Sequence, residues 1–334
     1  MTNGPTPPSR VPPRSNEGPA PGRLTLGPVQ YNWPAEKMRD FYFCIADEAR
    51  VDVVYVGEVI CAKRAPFFAP HLSAVIERLA AAGKQVVLST LAPVADAVEI
   101  RELEAQVAQN RAGCLVEAND MSALGLLAGR AHVAGPFINL YNEGTLIWLA
   151  RNGARRVVLP AELPAKVISV LGCAASGLGD GAGVEVEVEV QVFGRLPLAL
   201  SARCYHARLA GLGRANCRFV CEKDADGLEV ATVDGEAFLA INGTQTLSHT
   251  IANLLPEIPG MRANGVSHFR LWPHDIDMVG VADLCRAVLD DEMDGSEATT
   301  RLATLAPFAP FSNGFFHAVE GARMVGPEDV WQTN

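Results

Sequence analysis

Three cysteines in one short polar stretch are the residues of this chain best suited to chemistry. Cys204, Cys217 and Cys221 are spaced C-x12-C-x3-C, among glycine and arginine rather than in an apolar stripe. Thiolates are soft ligands that favour iron–sulfur clusters or zinc over hard cations. Zinc sites usually use two close cysteine pairs, whereas wide, irregular spacings are more common around iron–sulfur clusters. The spacing favours metal ligation, and ordinary half-buried cysteines are the alternative.

A fourth ligand is expected from another part of the chain, because three thiols are one short of a four-thiolate site. Cys61 is the best candidate, since it directly follows a strand-like run in VVYVGEVICAKR (53–64). The other cysteines occupy apolar positions of periodic segments, where cysteine behaves as a small hydrophobic residue. Four are predicted to be core in this way: Cys44, Cys114, Cys173 and Cys285.

The composition describes a chain of 334 residues that can bury a large core, with 49% hydrophobic residues and a net charge of −10. Apolar runs are shorter than the ~18 residues of a spanning helix, and the N-terminus lacks the apolar region of a secretory signal. We therefore expect a cytoplasmic protein with reduced thiols and no membrane-spanning segment. The negative charge disfavours a general nucleic-acid binder, which needs a basic face.

The chain is predicted to form one domain between two tails. Residues 1–22 contain seven prolines together with Gly, Ser and Asn, a composition typical of disorder. Residues 323–334 are predicted to be a C-terminal tail, which leaves residues 23–322 as a single domain carrying the cluster.

Strand-like and helix-like segments alternate along this domain, which indicates a parallel β/α architecture. Eight strands are the number that closes a TIM-type (β/α)8 barrel, regular or irregular. An open doubly wound sheet is the alternative, but no glycine-rich phosphate fingerprint follows the first strand. The strands are predicted at 24–28, 51–57, 85–90, 113–118, 132–136, 155–160, 184–193 and 267–272. The long connection from Cys204 to about Gly243 is predicted to be a cysteine-bearing segment inserted after strand seven.

The seventh strand has valines on one face and Glu185, Glu187 and Glu189 on the other. Two interpretations carry equal weight. The strand is either an edge strand with a wet face, or a barrel strand whose valines face the helices and whose glutamates face the interior. In the barrel, Glu189 would lie nearest the carboxyl-terminal end, where barrel enzymes place their chemistry.

Several motifs resemble the collagenase-like peptidase family U32. Glu189-Val-Gln-Val-Phe-Gly194 followed by Ser201-Ala-Arg-Cys204 is similar to the family's signature segment, in which a Glu, a Gly and a Ser-x-x-Cys run occur in this order. The family normally has its first cluster cysteine near the position of Pro197, and here that cysteine is missing.

This loss is shared by one branch of the family, which acts in ubiquinone biosynthesis. The segments similar to that branch cover nearly all of residues 24–322, and they are 57–64, 88–92, 196–204, 242–248 and 313–321, with the second and third cysteines of the triplet. In the branch, the cysteine of a GE-x-x-C-x-K-R motif replaces the missing ligand. The resemblance therefore implies a 4Fe–4S cluster bound by Cys61, Cys204, Cys217 and Cys221.

The resemblance also implies a function. Proteins of this branch form a heterodimer with a homologous partner, UbiU, and hydroxylate the ring of a prenylated aromatic ubiquinone precursor without oxygen. Prephenate has been implicated as an oxygen source in the family. The alternatives are a non-catalytic, cluster-bearing partner of UbiU and an RNA-base hydroxylase, and the acidic net charge counts against the second. An active peptidase is not expected, because the seven histidines are scattered and there is no H-x3-H pair or G-x-S-x-G motif.

Catalytic residues are not assigned by these motifs, and the candidates follow from position alone. Glu58, Glu189 and Arg203 each lie within a few residues of a strand end or a predicted ligand. Lys63, Arg64 and Arg203 are expected either to hold an anionic co-substrate or to offset the charge of a four-thiolate cluster.

Overall fold

The computed structural model describes residues 21–108, 114–182 and 185–326. The predicted N-terminal tail lies outside them except for its last two residues, and so does the predicted C-terminal tail from residue 327 onward. The strands of the described chain are β1 (Arg23–Leu26), β2 (Val53–Val56), β3 (Gln85–Ser89), β4 (Leu115–Ala118), β5 (His132–Ala134), β6 (Ala154–Val158), β7 (Glu187–Leu200), β8 (Leu228–Ala231), β9 (Ala237–Asn242), β10 (Gln245–Asn253), β11 (His268–Leu271) and β12 (Phe311–Ser312). The helices are α1 (Ala35–Glu48), α2 (Ala65–Ala81), α3 (Ala97–Ala108), α4 (Met121–Leu127), α5 (Glu143–Arg151), α6 (Ala165–Ala182), α7 (Tyr205–Leu209), α8 (Ile258–Ala263), α9 (Met278–Leu289) and α10 (Gly295–Leu305).

Eight parallel strands close into a barrel. Strands β1 to β7 pair in sequence order, and β11 pairs in parallel with both β7 and β1. Each of the eight strands overlaps a segment predicted from the sequence, and β7 extends seven residues beyond its predicted end. The helices α1 to α6 and α9 follow barrel strands. The predicted α/β, TIM-type (β/α)8 barrel is confirmed, and the open sheet is excluded because β11 closes the circle.

An inserted segment, here called the insert (residues 201–253), follows β7, as predicted. Strand β7 continues past the barrel to Leu200, and β10 returns antiparallel along this extension. Strands β9 and β8 add to β10 in antiparallel order, and β12 pairs with it in parallel. The insert therefore stands on an extended barrel strand, which fixes the three cysteines above the carboxyl-terminal rim.

The two faces of β7 settle how the strand is used. Its valines belong to the hydrophobic core between barrel and helices, and the side chain of Glu189 lies inside the barrel with no exposed surface. The barrel interpretation of the alternating pattern is therefore the right one. A separate apolar cluster fills part of the interior: Val53, Tyr55, Val87, Val133 and Val158.

Some elements were not anticipated from the sequence. Helices α8 and α10 and the strands of the insert lie outside the predicted segments. Helix α2 begins at Ala65, with Pro66 in its first turn, where the missing N–H costs nothing. It continues through Pro70, which gives up one hydrogen bond inside the helix. Across the described ranges, none of the helices has the length and apolar character needed to cross a bilayer.

Candidate functional site

The turn that carries Cys61 is built by local contacts of the G-E-x-x-C motif. Gly57 has φ +145°, and a Cβ there would lie 2.4 Å from the carbonyl oxygen of Ser89, so β2 can end this close to β3 only at a glycine. Glu58 Oε1 then accepts the backbone N–H groups of Ile60 and Cys61, at 2.8 and 2.9 Å. The motif therefore fixes the backbone at the first thiol.

Cys204 is brought to the same turn by the backbone of the insert. Thr244 Oγ1 donates to the carbonyl that directly precedes Cys61, at 3.1 Å. The neighbouring Gly243 carbonyl accepts the N–H of Tyr205 at 2.8 Å, immediately after Cys204. The Gly243–Thr244 turn between β9 and β10 therefore contacts the chain next to Cys61 and also next to Cys204. These two cysteines are separated by more than a hundred residues in sequence.

Lys63 connects this turn to the 3₁₀ segment that precedes Cys217. Its Nζ donates to the carbonyls of Arg214 and Ala215, at 2.8 and 3.1 Å, and lies 3.4 Å from Cys217 Sγ. It also stacks over the ring of Phe219, 5.3 Å from the centroid. The ammonium group therefore positions the third thiol and places a positive charge against it.

Arg64 reaches the fourth thiol from the same 3₁₀ turn (Ala62–Arg64). The residue is only 5% exposed. Its Nη1 donates to the Gln30 carbonyl at 2.8 Å and its Nη2 to Asn242 Oδ1 at 3.0 Å. The guanidinium also lies within electrostatic range of Cys221 and Cys61.

The chain between Cys217 and Cys221 is held in a strained conformation. Arg218 and Phe219 both have left-handed φ values, +52° and +53°, which non-glycine residues adopt only where the surroundings impose them. The Phe219 ring packs edge-on against Phe67 at 4.8 Å. This anchor on α2 keeps the turn, and so keeps the two thiols close together along the chain.

The four predicted ligands therefore converge around the single turn at 62–64. Cys217 and Cys221 are buried, and Cys61 and Cys204 are half-buried. Within the described residues there is no group of three or more His, Cys, Asp or Glu side chains spaced for one metal ion. A four-iron cluster binds each thiolate to a different iron, so its ligands lie farther apart than those of a single ion. Four thiols on converging loops, flanked by cationic side chains, fit such a cluster.

A strap (residues 224–226) ties the cysteine region to the rest of the insert. Asp224 Oδ2 lies 3.1 Å from His206 Nε2, and His206 Nδ1 accepts the N–H of Gly243 at 2.9 Å. Because Nδ1 is an acceptor, Nε2 carries the proton and donates it to Asp224. Burial lowers the pKa of His206, so this imidazole is neutral at physiological pH.

The other end of the strap docks on the barrel rim. Asp226 Oδ1 accepts from His274 Nδ1 at 3.0 Å, while His274 Nε2 accepts the Arg195 N–H at 3.2 Å. Between the two aspartates, the Ala225 carbonyl accepts from Trp33 Nε1 at 2.8 Å. The strap therefore fixes the segment after Cys221 directly to the carboxyl-terminal ends of β1, β7 and β11.

A charged network fills the middle of the barrel below this rim. Glu189 accepts from Thr25 Oγ1 and Tyr55 Oη, each at 2.6 Å, and from Arg270 Nε at 2.7 Å. Arg270 Nη2 also donates to Glu117 at 2.8 Å. All five residues are fully buried, so the carboxylates and the guanidinium depend on one another for solvation.

The ionisation of this network follows from its charges. Burial acts to raise the pKa of Glu189, but Arg270 and Arg156 outweigh it and lower this pKa to about 2. Burial and the Arg156 guanidinium together lower the pKa of His268, next to the network, to about 3. The carboxylate is therefore ionised and the imidazole neutral throughout the physiological range.

Gly194, the glycine of the E-V-Q-V-F-G segment, leaves space for the side chain of Trp272. Gly194 has φ +111°, and a Cβ there would lie 2.6 Å from Trp272 Cβ. The indole of Trp272 covers Arg270, with the guanidinium carbon 5.2 Å from the ring centroid. The glycine makes room for the aromatic side chain that closes the network at the top of the barrel.

A match between the chain and a protein-family model identifies the family. The model described as peptidase family U32 matches residues 37–325, which include every strand and loop of the site except β1 and the segment after it. The chain belongs to peptidase family U32. This is the family whose signature the Glu189–Cys204 segment resembles.

Two of the solved structures similar to this U32 chain are distant in sequence. A mandelate racemase/muconate lactonizing protein from Paracoccus denitrificans Pd1222 is 13% identical, with a TM-score of 0.36 over 52% of this chain and 48% of that one. A glycoside hydrolase family 5 enzyme from Prevotella bryantii B14 is 10% identical, with a TM-score of 0.36 over 78% of this chain and 86% of that one. This chain thus spans about half the length of the first of these proteins.

The three candidate catalytic residues of this U32 protein lie in different surroundings. Glu58 is half-buried beside the first thiol, and burial raises its pKa while the Arg64 charge opposes the rise. Arg203 is exposed, one residue before Cys204. Glu189 lies inside the barrel, away from both. The fold therefore brings Glu58, Lys63 and Arg64 to the cysteines, and separates Glu189 from them.

The remaining cysteines only partly follow the prediction that they are core. Cys285 is fully buried, which confirms it. Cys44 and Cys114 are half-buried, and Cys173 is exposed on α6, where the prediction was wrong. The periodic apolar pattern around Cys173 extends over a long helix, and its position falls just outside the buried stripe.

Several residues of the site were missed in the sequence. The interior network includes Glu117, Arg156 and Arg270, and the strap adds Asp224 and Asp226. A signal for the first group was present, because a charged residue in the middle of an apolar strand run must be paired if the strand is buried. The strap has no comparable signal, since its partners are distant in sequence.

Proposed function

We propose that this chain is the iron–sulfur subunit of a heterodimer that carries out an oxygen-independent ring hydroxylation in ubiquinone biosynthesis, as in the family branch named UbiV. The convergence of Cys61, Cys204, Cys217 and Cys221 around one rim turn carries the proposal. Family members with the usual first ligand would use a cysteine near Pro197. In this chain Pro197 pairs with Leu247 on β10, and Cys61 lies at the rim beside the remaining thiols.

The residues at this rim fit a 4Fe–4S cluster. The four thiols would hold it, and when bound it supplies one-electron transfer. Lys63 and Arg64 place two positive charges beside the donor set, which suits a group whose four thiolates give it net negative charge. Glu58 keeps the backbone of the first ligand in place through its two N–H contacts.

The partner in this proposal is UbiU, and the substrate is a prenylated aromatic precursor of ubiquinone, with prephenate as the oxygen source implicated in the family. A second candidate is that this chain carries the cluster without carrying the active site. The filled barrel interior favours this second role, because Glu189, Arg270 and Glu117 are all used by one another. We propose a cytoplasmic location for the protein in either role.

The test of the cofactor is anaerobic purification followed by absorption and EPR spectroscopy, with iron and acid-labile sulfide counted. We expect about four irons per chain in the wild type. Alanine at any of the four ligands is expected to strip or destabilise the cluster. Cys173→Ala is the matched control, since it removes an exposed thiol elsewhere, and it should keep full iron content. A full cluster in Cys61→Ala would refute the ligand set.

The test of the heterodimer is co-expression with a UbiU homologue. We expect a stable one-to-one complex and anaerobic ubiquinone formation that requires both chains. Substitution of Arg203 by alanine then tests whether this exposed side chain contacts substrate or only offsets the charge of the cluster. Lost product with the cluster retained supports a substrate contact. Full activity of the isolated chain would contradict the heterodimer, and peptide turnover by metal-free protein would favour a hydrolase instead.

A further inference from the structure

Arg64, like Arg195, is a buried arginine whose described hydrogen bonds reach no carboxylate. Arg270 donates to Glu117 and Glu189, and Arg156 donates to Glu187. Arg64 instead donates to a backbone carbonyl and to the amide oxygen of Asn242. A buried guanidinium without a hydrogen-bonded anion is unfavourable, since burial removes its hydration.

One nitrogen of this guanidinium is left without an acceptor. Among the described residues, Arg64 Nε is buried and has no hydrogen-bond partner. Glu58 is the nearest carboxylate in electrostatic range, but its Oε1 is used by the backbone of the cysteine turn. The side chain is also confined, because Gly243 leaves only enough space for Nη2, and a Cβ there would lie 2.8 Å from it.

The acceptor that Arg64 Nε lacks among the described residues can be supplied by a cluster bound to the thiolates. Cys221 and Cys61 both lie within electrostatic range of the guanidinium, and Arg64 is in the turn that directly follows Cys61. Hydrogen bonds to the sulfurs and nearby positive charge stabilise the more negative, reduced form of a cluster and so raise its reduction potential. Lys63 differs, since it is half-buried and donates to the carbonyls of Arg214 and Ala215.

We propose that Arg64 is the buried counter-charge of the cluster, with its free Nε–H donating to a cluster sulfur, and that it holds the reduction potential above the value the same four thiolates would give alone. This inference rests on the proposed function, because it needs a redox cluster at the rim. It assigns Arg64 a positioning and tuning role rather than contact with substrate.

The experiment is an EPR-monitored redox titration of the anaerobically purified protein and two variants. Arg64→Gln removes the charge, and Arg64→Lys keeps the charge while losing the Nε–H donor. We expect the midpoint potential to fall in both, and to fall further in Arg64→Gln. Arg208→Gln is the matched control, since this exposed guanidinium lies one helical turn after Cys204, and it should leave the potential unchanged.

The outcomes separate this inference from the proposed function. Wild-type protein without iron and sulfide would overturn the proposed function itself. An unchanged potential in whichever Arg64 variant keeps its cluster would overturn only the role of Arg64. Loss of the cluster from a folded Arg64→Lys protein would also overturn it, because the counter-charge is still present there. Loss of the cluster from Arg64→Gln alone, with a lowered potential in Arg64→Lys, supports it.

Discussion

Replacing Glu189 by glutamine tests whether the interior network supports the fold or the chemistry. The substitution keeps the size of the side chain and removes its charge, so Arg270 loses one of its two carboxylates. Breaking a buried ion pair by removing one partner costs about 3–5 kcal/mol. The lowering of the Glu189 pKa from 4.5 to about 2 gives a similar figure, about 3 kcal/mol at about 1.4 kcal/mol per unit.

The assay is urea unfolding followed by tryptophan fluorescence, with the wild type and Glu189→Gln compared at about pH 7. Glu185→Gln is the matched control, because this exposed glutamate lies four residues earlier in the same run and should change stability by less than about 0.5 kcal/mol. We expect the free energy of unfolding to fall by about 3 kcal/mol in the first variant.

The pH dependence gives an independent check on the same variant. Because the folded pKa of Glu189 lies below its unfolded value, its contribution is present above pH 4.5 and is lost as pH falls from 4.5 towards about 2. The gap in stability between the two proteins should therefore narrow over that interval, because the Glu189 carboxylate loses its charge there. A loss below about 1 kcal/mol at neutral pH, or a gap that stays constant with pH, would refute the reasoning.

Three further changes probe the elements that hold the cysteines. Gly57→Ala places a Cβ against the β3 carbonyl and should destabilise the protein by at least about 2 kcal/mol in urea unfolding. Glu58→Ala leaves two N–H groups at the Cys61 turn without their acceptor, so purified protein should hold less iron than the wild type. Asp226→Ala undocks the strap from His274, and limited proteolysis should then cut the insert faster while the barrel stays intact. Unchanged iron in the second variant, or unchanged cleavage in the third, would contradict these roles.

The barrel was largely predictable from the chain itself, and the proposed ligand set also comes from the sequence. Eight apolar strand runs separated by helical runs specify a parallel barrel, because each strand must be covered by a helix on its outer face. The alternation of valine and glutamate in β7 predicts two different faces. Once the sheet closes into a barrel, the valines pack in the hydrophobic core and Glu189 lies in the interior. The C-x12-C-x3-C spacing and the G-E-x-x-C motif can likewise be recognised within short stretches of the sequence.

What only the tertiary structure decided is which distant residues meet. Whether Glu189 lies in an open pocket or in a filled interior depends on Arg270 and Tyr55. These residues come from other strands, and both donate hydrogen bonds to its carboxylate. The place of Arg64 was equally hidden, since sequence shows a basic pair after Cys61 but not that one member is buried without a carboxylate and the other is half-exposed. Periodicity reports the face of an element and nothing about its neighbours across the barrel, so the pairing of buried charges is determined by packing alone.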